Sequence, residues 1–141
     1  MNETPNRGML DTSTVIMLGR IADPSALPEE SVISAITLAE LSVGPHVATS
    51  DQERAIRQSH LQQAESDFDV AAFDGGAARA FGAVAASLRA SGRKPAARAY
   101  DALIAATAIV SNRTLVTRNR KHFRMIPDLM LKVPEYGTAL P

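Results

Sequence analysis

Short apolar runs alternate with longer amphipathic stretches along this chain. "GML" (residues 8–10) reads as a first strand that runs into "VIML" (15–18), the start of a helix, with Asp11, Thr12 and Ser13 at the junction. "ADPSALPEE" is a loop rich in proline and acid. A short strand is expected at Val32–Ser34, followed by a helix ending near Gly44. "DQERAIRQSHLQQAES" is a polar amphipathic helix in which Glu53 and Arg57 form an i,i+4 pair. "DFDVAAF" reads as a third strand. Asp74 should cap the helix "GGAARAFGAVAASLRASG", which places Ala77, Phe81, Val84, Ala85 and Leu88 on one face and stops at Gly92. A basic loop, "RKPAARAY", leads to a helix of small residues, "DALIAATAIVSN". The strand "RTLVT", the basic turn "RNRKHF" and a last strand in "LMLKV" complete the pattern.

Strands alternating with helices predict an α/β fold: a three-layer α/β/α sandwich with a central, mostly parallel sheet of four to five strands. The polar stretch 1–8 is expected to be a flexible tail and 9–141 a single domain, with Met9 a second candidate start. Neither repeats nor low-complexity tracts are evident.

Composition narrows the chemistry. The absence of cysteine excludes disulfides, thiolate zinc sites and a cysteine nucleophile. The best apolar run, "ALIAATAIV", is too short to span a bilayer, and the N-terminus lacks a signal-peptide layout, so no membrane association and a cytoplasmic location are expected. Net charge is zero, yet nine of the 15 Lys and Arg residues fall between Val84 and Arg124, where Asp101 is the sole acid. Such a segment is either the footprint of a polyanion site or a set of solvated charges.

In parallel sheets, ligands bind beyond the carboxyl ends of the strands. Asp11 follows the first strand and Asn119 follows "RTLVT", so both fall on that edge. Each acid also has a plainer reading. Asp11 and Asp101 serve equally well as helix caps, although Thr12 and Ser13 are available to cap without charge. Glu40, placed in the last turn of its helix, is a solvated charge that opposes the helix dipole. Asn119 is ordinary turn chemistry and His122 a surface residue. The small residues Ala102, Ala105, Ala106 and Ala108 would let their helix approach the sheet and hold Asp101 near the strand ends. Carboxylates gathered at one edge repel, so they bind a cation or take up protons. Oxygen ligands favour Mg²⁺ or Mn²⁺, and nearby cations would hold phosphate, a combination suited to metal-assisted phosphodiester hydrolysis.

"MLDTSTVI", "TLAELSVG", "YDALIAATA" and "LVTRNRKHF", in that order and spacing, resemble the motifs of PIN-domain nucleases, above all the VapC-type toxins of bacterial toxin–antitoxin pairs. The resemblance extends from about Met9 to Pro134. It implies a Mg²⁺-dependent endoribonuclease (Mn²⁺ as the alternative ion) acting on transfer or ribosomal RNA and neutralised by a VapB-like antitoxin, usually as a homodimer. Asp11, Glu40 and Asp101 match the acidic ligand positions, Ser13 the hydroxyl supporting the first acid, and Asn119 the polar position after the fourth core strand. Arg118, Arg120 and Lys121 are expected on RNA backbone. His122 stands where the family commonly carries aspartate, which implies weaker metal binding and leaves one ion or two open.

Other readings keep part of this pattern. A PIN fold weakened in catalysis would bind RNA or antitoxin without cutting. A haloacid-dehalogenase-type phosphotransferase also opens with an acid after the first strand, but needs a second Asp where Ser13 stands. A purely structural domain with three caps leaves Glu40 unexplained.

Overall fold

Met9 and Leu10 are both fully buried, and they enter different cores. Their strand, β1 (Arg7–Leu10), runs through the middle of a sheet whose successive side chains point to opposite faces. The computed structural model describes residues 6–93 and 98–137. Along them β1 is followed by α1 (Thr12–Ile16), β2 (Glu30–Ser34), α2 (Ala35–His46), α3 (Asp51–Asp67), β3 (Val70–Ala71), α4 (Gly75–Ala90), α5 (Ala99–Val110), β4 (Thr114–Val116) and β5 (Leu131–Lys132), with short 3-10 turns between some of them.

The sheet order is β3-β2-β1-β4-β5, and every pairing is parallel. Met9 and Leu115 face α4 and α5, in a core with Val84, Leu88 and Phe123. Leu10, Ile33 and Val116 face α1, α2 and α3, in a second core with Val15, Leu41 and Ala64. Helices therefore cover both faces, and the adjacent buried apolar residues Met9–Leu10 and Leu115–Val116 of the central strands are what parallel strands buried on two sides require. Ala102, Ala105, Ala106 and Ala108 are fully buried, so α5 sits close against the sheet. Gly8 is needed where the chain crosses Pro28, whose Cγ would lie 2.4 Å from an added Cβ. Asp74 caps α4 through the Ala77 N–H, and Gly92, at φ 85°, turns the chain out of that helix.

β2 begins at Glu30, two residues before the expected Val32, and four other element boundaries differ from the pattern-based expectation for identifiable reasons. β1 begins at Arg7, inside the stretch read as a tail, because Arg7 pairs with Glu30 in the sheet and also meets its carboxylate at 3.8 Å. α1 starts at Thr12 rather than Val15, since Asp11 itself is the cap. α2 continues past Gly44 to His46, because two arginines of α3 bond its last carbonyls: Arg57 reaches the Gly44 oxygen and Arg54 the Pro45 oxygen. α5 starts at Ala99, which puts Asp101 inside its first turn instead of at the cap. Residues 1–5 of the expected tail and 94–97 of the expected basic loop lie outside the described residues.

The order of the sheet fixes where binding is expected. From β1 the chain moves outward to β2 and β3, then returns to the other side of β1 as β4 and β5. The crevice between the carboxyl ends of β1 and β4 is the topological switch point. Asp11 leaves β1 there, with its backbone N–H 3.0 Å from the Val116 carbonyl of β4.

Candidate active site

Asp11 performs both roles the sequence left open. Its carboxylate caps α1, accepting from the Thr14 N–H at 2.9 Å, and it lines an open pocket of about 700 Å³ at the switch point. Only 3% of Asp11 is exposed. Oδ1 also accepts from the Ser13 hydroxyl (2.8 Å), and Oδ2 from the Thr117 hydroxyl (2.5 Å). Thr117 in turn accepts from the Asn119 N–H at 3.0 Å, so the turn after β4 is tied to the first acid. Three donors satisfy three of about four acceptor positions on the carboxylate, leaving a lone pair on Oδ2.

Glu40 reaches the same pocket from the middle of α2, not from its last turn, so the dipole argument does not apply. The Thr12 hydroxyl donates to its Oε1 at 2.7 Å. Burial raises the Glu40 carboxyl above the usual carboxylate range; the Thr12 bond opposes the rise and the charges of Asp101 and Asp11 reinforce it. Asp101 enters from the first turn of α5, with Oδ2 3.1 Å from Nδ1 of His122. Burial raises its carboxyl too, countered by His122, reinforced by Asp11 and countered again by Arg98.

Asp11, Ser13, Glu40, Asp101 and Asn119 thus converge on one pocket from four parts of the chain. Arg118, Arg120 and Lys121 are not among the described residues lining it. They stand exposed on the turn that also carries Asn119 and His122, with the Arg118 guanidinium 5.7 Å from the centre of the Tyr136 ring. Among the described residues, the Lys or Arg on the pocket wall is Arg98. Sequence offers Thr12 only as an alternative cap and Thr117 only as the end of a strand, because a hydroxyl one residue after an acid or after a strand is common to most turns. The His122–Asp101 contact spans 21 positions and has no local signature.

The donor set suits a hard divalent ion. Among the described residues no three His, Cys, Asp or Glu side chains are close enough to wrap an ion by themselves. Mg²⁺ keeps several waters and takes one or two carboxylates, so it does not require such a triad. The electrostatics carry the same message, because carboxyls held above their ordinary range by burial and one another are relieved by a cation.

This has a measurable consequence. Glu40 and Asp101 retain protons in the folded state at pH values where the unfolded chain has lost them. Without metal, the stability these two groups contribute is therefore full below the ordinary carboxylate range and is lost as pH rises through the raised values. Glu40→Gln keeps the Thr12 bond and removes the charge. In chelator at neutral pH it is expected to melt about 2–4 °C higher than wild type, with a shallower fall in Tm between about pH 4 and pH 7. Thermal melts across that range test it; a lower Tm for the variant at neutral pH would refute the repulsion account.

A family model described as PIN domain matches residues 9–128. Ribonuclease VapC5 of Mycobacterium tuberculosis is 34% identical over 121 residues, 84% of this chain and 87% of that protein. The fold is similar, at a TM-score of 0.78 and 29% identity, to the crystal structure of a member of the VapBC family of toxin–antitoxin systems, VapBC-5, also from Mycobacterium tuberculosis, covering 92% of this chain and 98% of that one. It is similar at 0.70 and 28% identity to VapBC2 from Rickettsia felis bound to a DNA fragment from their promoter, covering 89% and 96%.

Proposed function

Because the chain belongs to the PIN-domain family, among its VapC-type ribonuclease toxins, we propose that the pocket between β1 and β4 hydrolyses RNA phosphodiester bonds with a divalent metal ion. The observation that carries this reading is the meeting of Asp11 from the end of β1, Glu40 from α2 and Asp101 from α5 in one pocket at the switch point of the sheet.

Asp11 and Asp101 would hold Mg²⁺, with Mn²⁺ as the alternative. When bound, the ion supplies Lewis acidity at a phosphoryl oxygen and makes nearby water more acidic. Glu40 would contact the ion through water or orient the attacking water. Its Oε1 is engaged by Thr12, which leaves Oε2 to take the water's proton, and a carboxyl raised above its usual range is a better proton acceptor than an ordinary one. Ser13 and Thr117 hold the Asp11 carboxylate in one orientation, and Asn119 offers its amide to the phosphate or to water. Arg98 on the wall, and Arg118, Arg120 and Lys121 on the neighbouring turn, would contact RNA backbone, so affinity should fall as salt rises.

On this reading the chain is the toxin of a type II pair, cutting transfer or ribosomal RNA in the cytoplasm and silenced by a VapB-like antitoxin, with a homodimer as the assembly. No helix among the described residues is long and apolar enough to cross a membrane. The test is incubation of the purified, partner-free chain with total cellular RNA. Discrete fragments are expected with Mg²⁺, none in excess EDTA, and fragments again when Mg²⁺ exceeds the chelator. Undiminished cutting in EDTA refutes the metal role; no cutting with either ion refutes the nuclease reading.

A further inference from the structure

The structure assigns Tyr136 the role of a positioning residue: its ring, delivered by a C-terminal strap, sets the direction in which Arg118 presents its guanidinium to RNA backbone. The inference rests on the RNA-cleaving reading of the neighbouring pocket and adds a residue that acts on binding through another side chain.

The strap is residues 135–137, beyond residues 9–128 that carry the family pattern. It returns from β5 to the segment that follows α1 and is stitched there on both sides of an antiparallel bridge between Ile21 and Tyr136. The Ala22 N–H donates to the Glu135 carbonyl at 2.9 Å, and the Gly137 N–H to the Arg20 carbonyl at 2.8 Å. Ile21 is itself buried, so the backbone of Tyr136 is fixed against a fixed neighbour. The half-buried side chain points its hydroxyl inward, where it is buried with no hydrogen-bond partner among the described residues. A buried hydroxyl left without a partner costs stability, so the hydroxyl is no reason for a tyrosine at this place. The face of the ring supplies one: the Arg118 guanidinium lies over it, 5.7 Å from the centre, within cation–π reach.

Arg118 stands two residues beyond the end of β4, next to Asn119, which lines the active-site pocket. It is exposed, and no ion pair with a described carboxylate claims it. A long exposed arginine samples many rotamers, and freezing them when a ligand arrives weakens the complex. A carboxylate partner would hold the side chain still but would also cancel its charge. An aromatic face holds it still and leaves the charge and the guanidinium N–H groups to an incoming phosphate. Among the cations of the turn after β4, Arg118 is therefore the one prepared in advance for RNA backbone, and Tyr136 prepares it.

The test is a double-mutant cycle on RNA affinity. The probe is a fluorescently labelled, mixed-sequence oligoribonucleotide, and the titrations are made in EDTA at low salt so that nothing is cut. Tyr136→Leu keeps apolar bulk in the strap and removes the aromatic face. It is expected to weaken binding about 2- to 5-fold, the range that an exposed cation–π contact supplies. Tyr136→Phe and Tyr136→Trp should bind as wild type does. In an Arg118→Ala chain, Tyr136→Leu should cause no further loss, because the ring acts through that guanidinium. With Mg²⁺, Tyr136→Leu should raise KM by the same factor and leave kcat unchanged. Thermal melts check the fold, and Tyr136→Met takes the place of the leucine variant in the cycle if that chain melts well below wild type. No RNA binding by wild type, a Tyr136→Leu chain that binds as tightly as wild type, or additive losses in the double variant overturns the proposal. So does a fall in kcat with KM unchanged, or a Tyr136→Phe chain as weak as Tyr136→Leu, which would transfer the effect to the hydroxyl. Absence of RNA cleavage with Mg²⁺ bears on the nuclease reading, while the binding cycle, run without metal, decides the role of Tyr136.

Discussion

Asp11→Asn is expected to fold as the wild type does and to cleave RNA at least about 10²-fold more slowly, a loss as large as the most severe effects of removing a residue that merely supports a metal ligand. Asparagine is nearly the same shape and is itself a good helix cap. Its Oδ1 still accepts from Thr14 N–H and Ser13 Oγ, and its Nδ2 faces a Thr117 hydroxyl able to turn and accept. What disappears is one negative charge, from a group only 3% exposed. A thermal melt should place the Asn variant at or slightly above wild type in chelator, because a like charge beside Glu40 and Asp101 has gone. Mg²⁺ should raise its Tm less than it raises that of wild type, since a weaker ligand set stabilises the folded state less at a given ion concentration. Asp11→Ala is the contrasting case. It also loses the cap, at about 1 kcal/mol, and leaves Ser13 and Thr117 facing a gap. Equal cleavage by the Asn variant and wild type would remove Asp11 from the chemistry and leave it as a cap alone.

The parts of this molecule that were legible in the sequence are those set by local pattern. Met9 and Leu10, Leu115 and Val116 are adjacent apolar pairs, the mark of strands buried on both faces, and they give the parallel sheet. The acid immediately after the first of those strands then marks the binding edge. What stayed hidden depends on residues far apart in the chain. Gly44 and Pro45 look like a helix stop, but α2 runs on because Arg57 and Arg54 of α3 bond its last carbonyls, and this moves Glu40 from a helix end to its middle. Asp101 looks like a cap because nothing in "RAYDAL" marks Ala99 as the first helical residue. The basic segment announces charge without direction. Of its cations, Arg98 lines the pocket, while Arg118 packs over Tyr136, which comes back alongside Ile21 in an antiparallel bridge. Thr117 and His122 gain their meaning from Asp11 and Asp101, 106 and 21 positions away. The resemblance supplied the pairing of acids into one site, which no single-residue argument had done.

Phe123→Ala should be the most damaging single change to stability. The ring is fully buried in the core that joins Met9 and Leu115 of the sheet to Val84 and Leu88 of α4 and the alanines of α5. It directly follows the 3-10 turn Arg120–His122, so it also seats the segment that presents Asn119 and His122 to the pocket. Truncating a buried phenylalanine costs about 3–5 kcal/mol, against a total of about 5–15 kcal/mol for an ordinary domain. The core sets the small residues Ala102, Ala105, Ala106 and Ala108 beside longer ones such as Met9, Leu88 and Leu115, which can move partly into the space. A loss within that range is therefore expected. In urea the midpoint should fall with the slope of the transition unchanged, as it does when packing alone is lost. Phe123→Leu should recover most of the difference by refilling the space. Cleavage by whatever Phe123→Ala protein remains folded should also fall, because His122 is held against Asp101 from the same turn. A midpoint shift worth less than about 1 kcal/mol, below the usual cost of such a cavity, would mean that the turn seats itself without the ring and that the site's geometry is held from β4 alone.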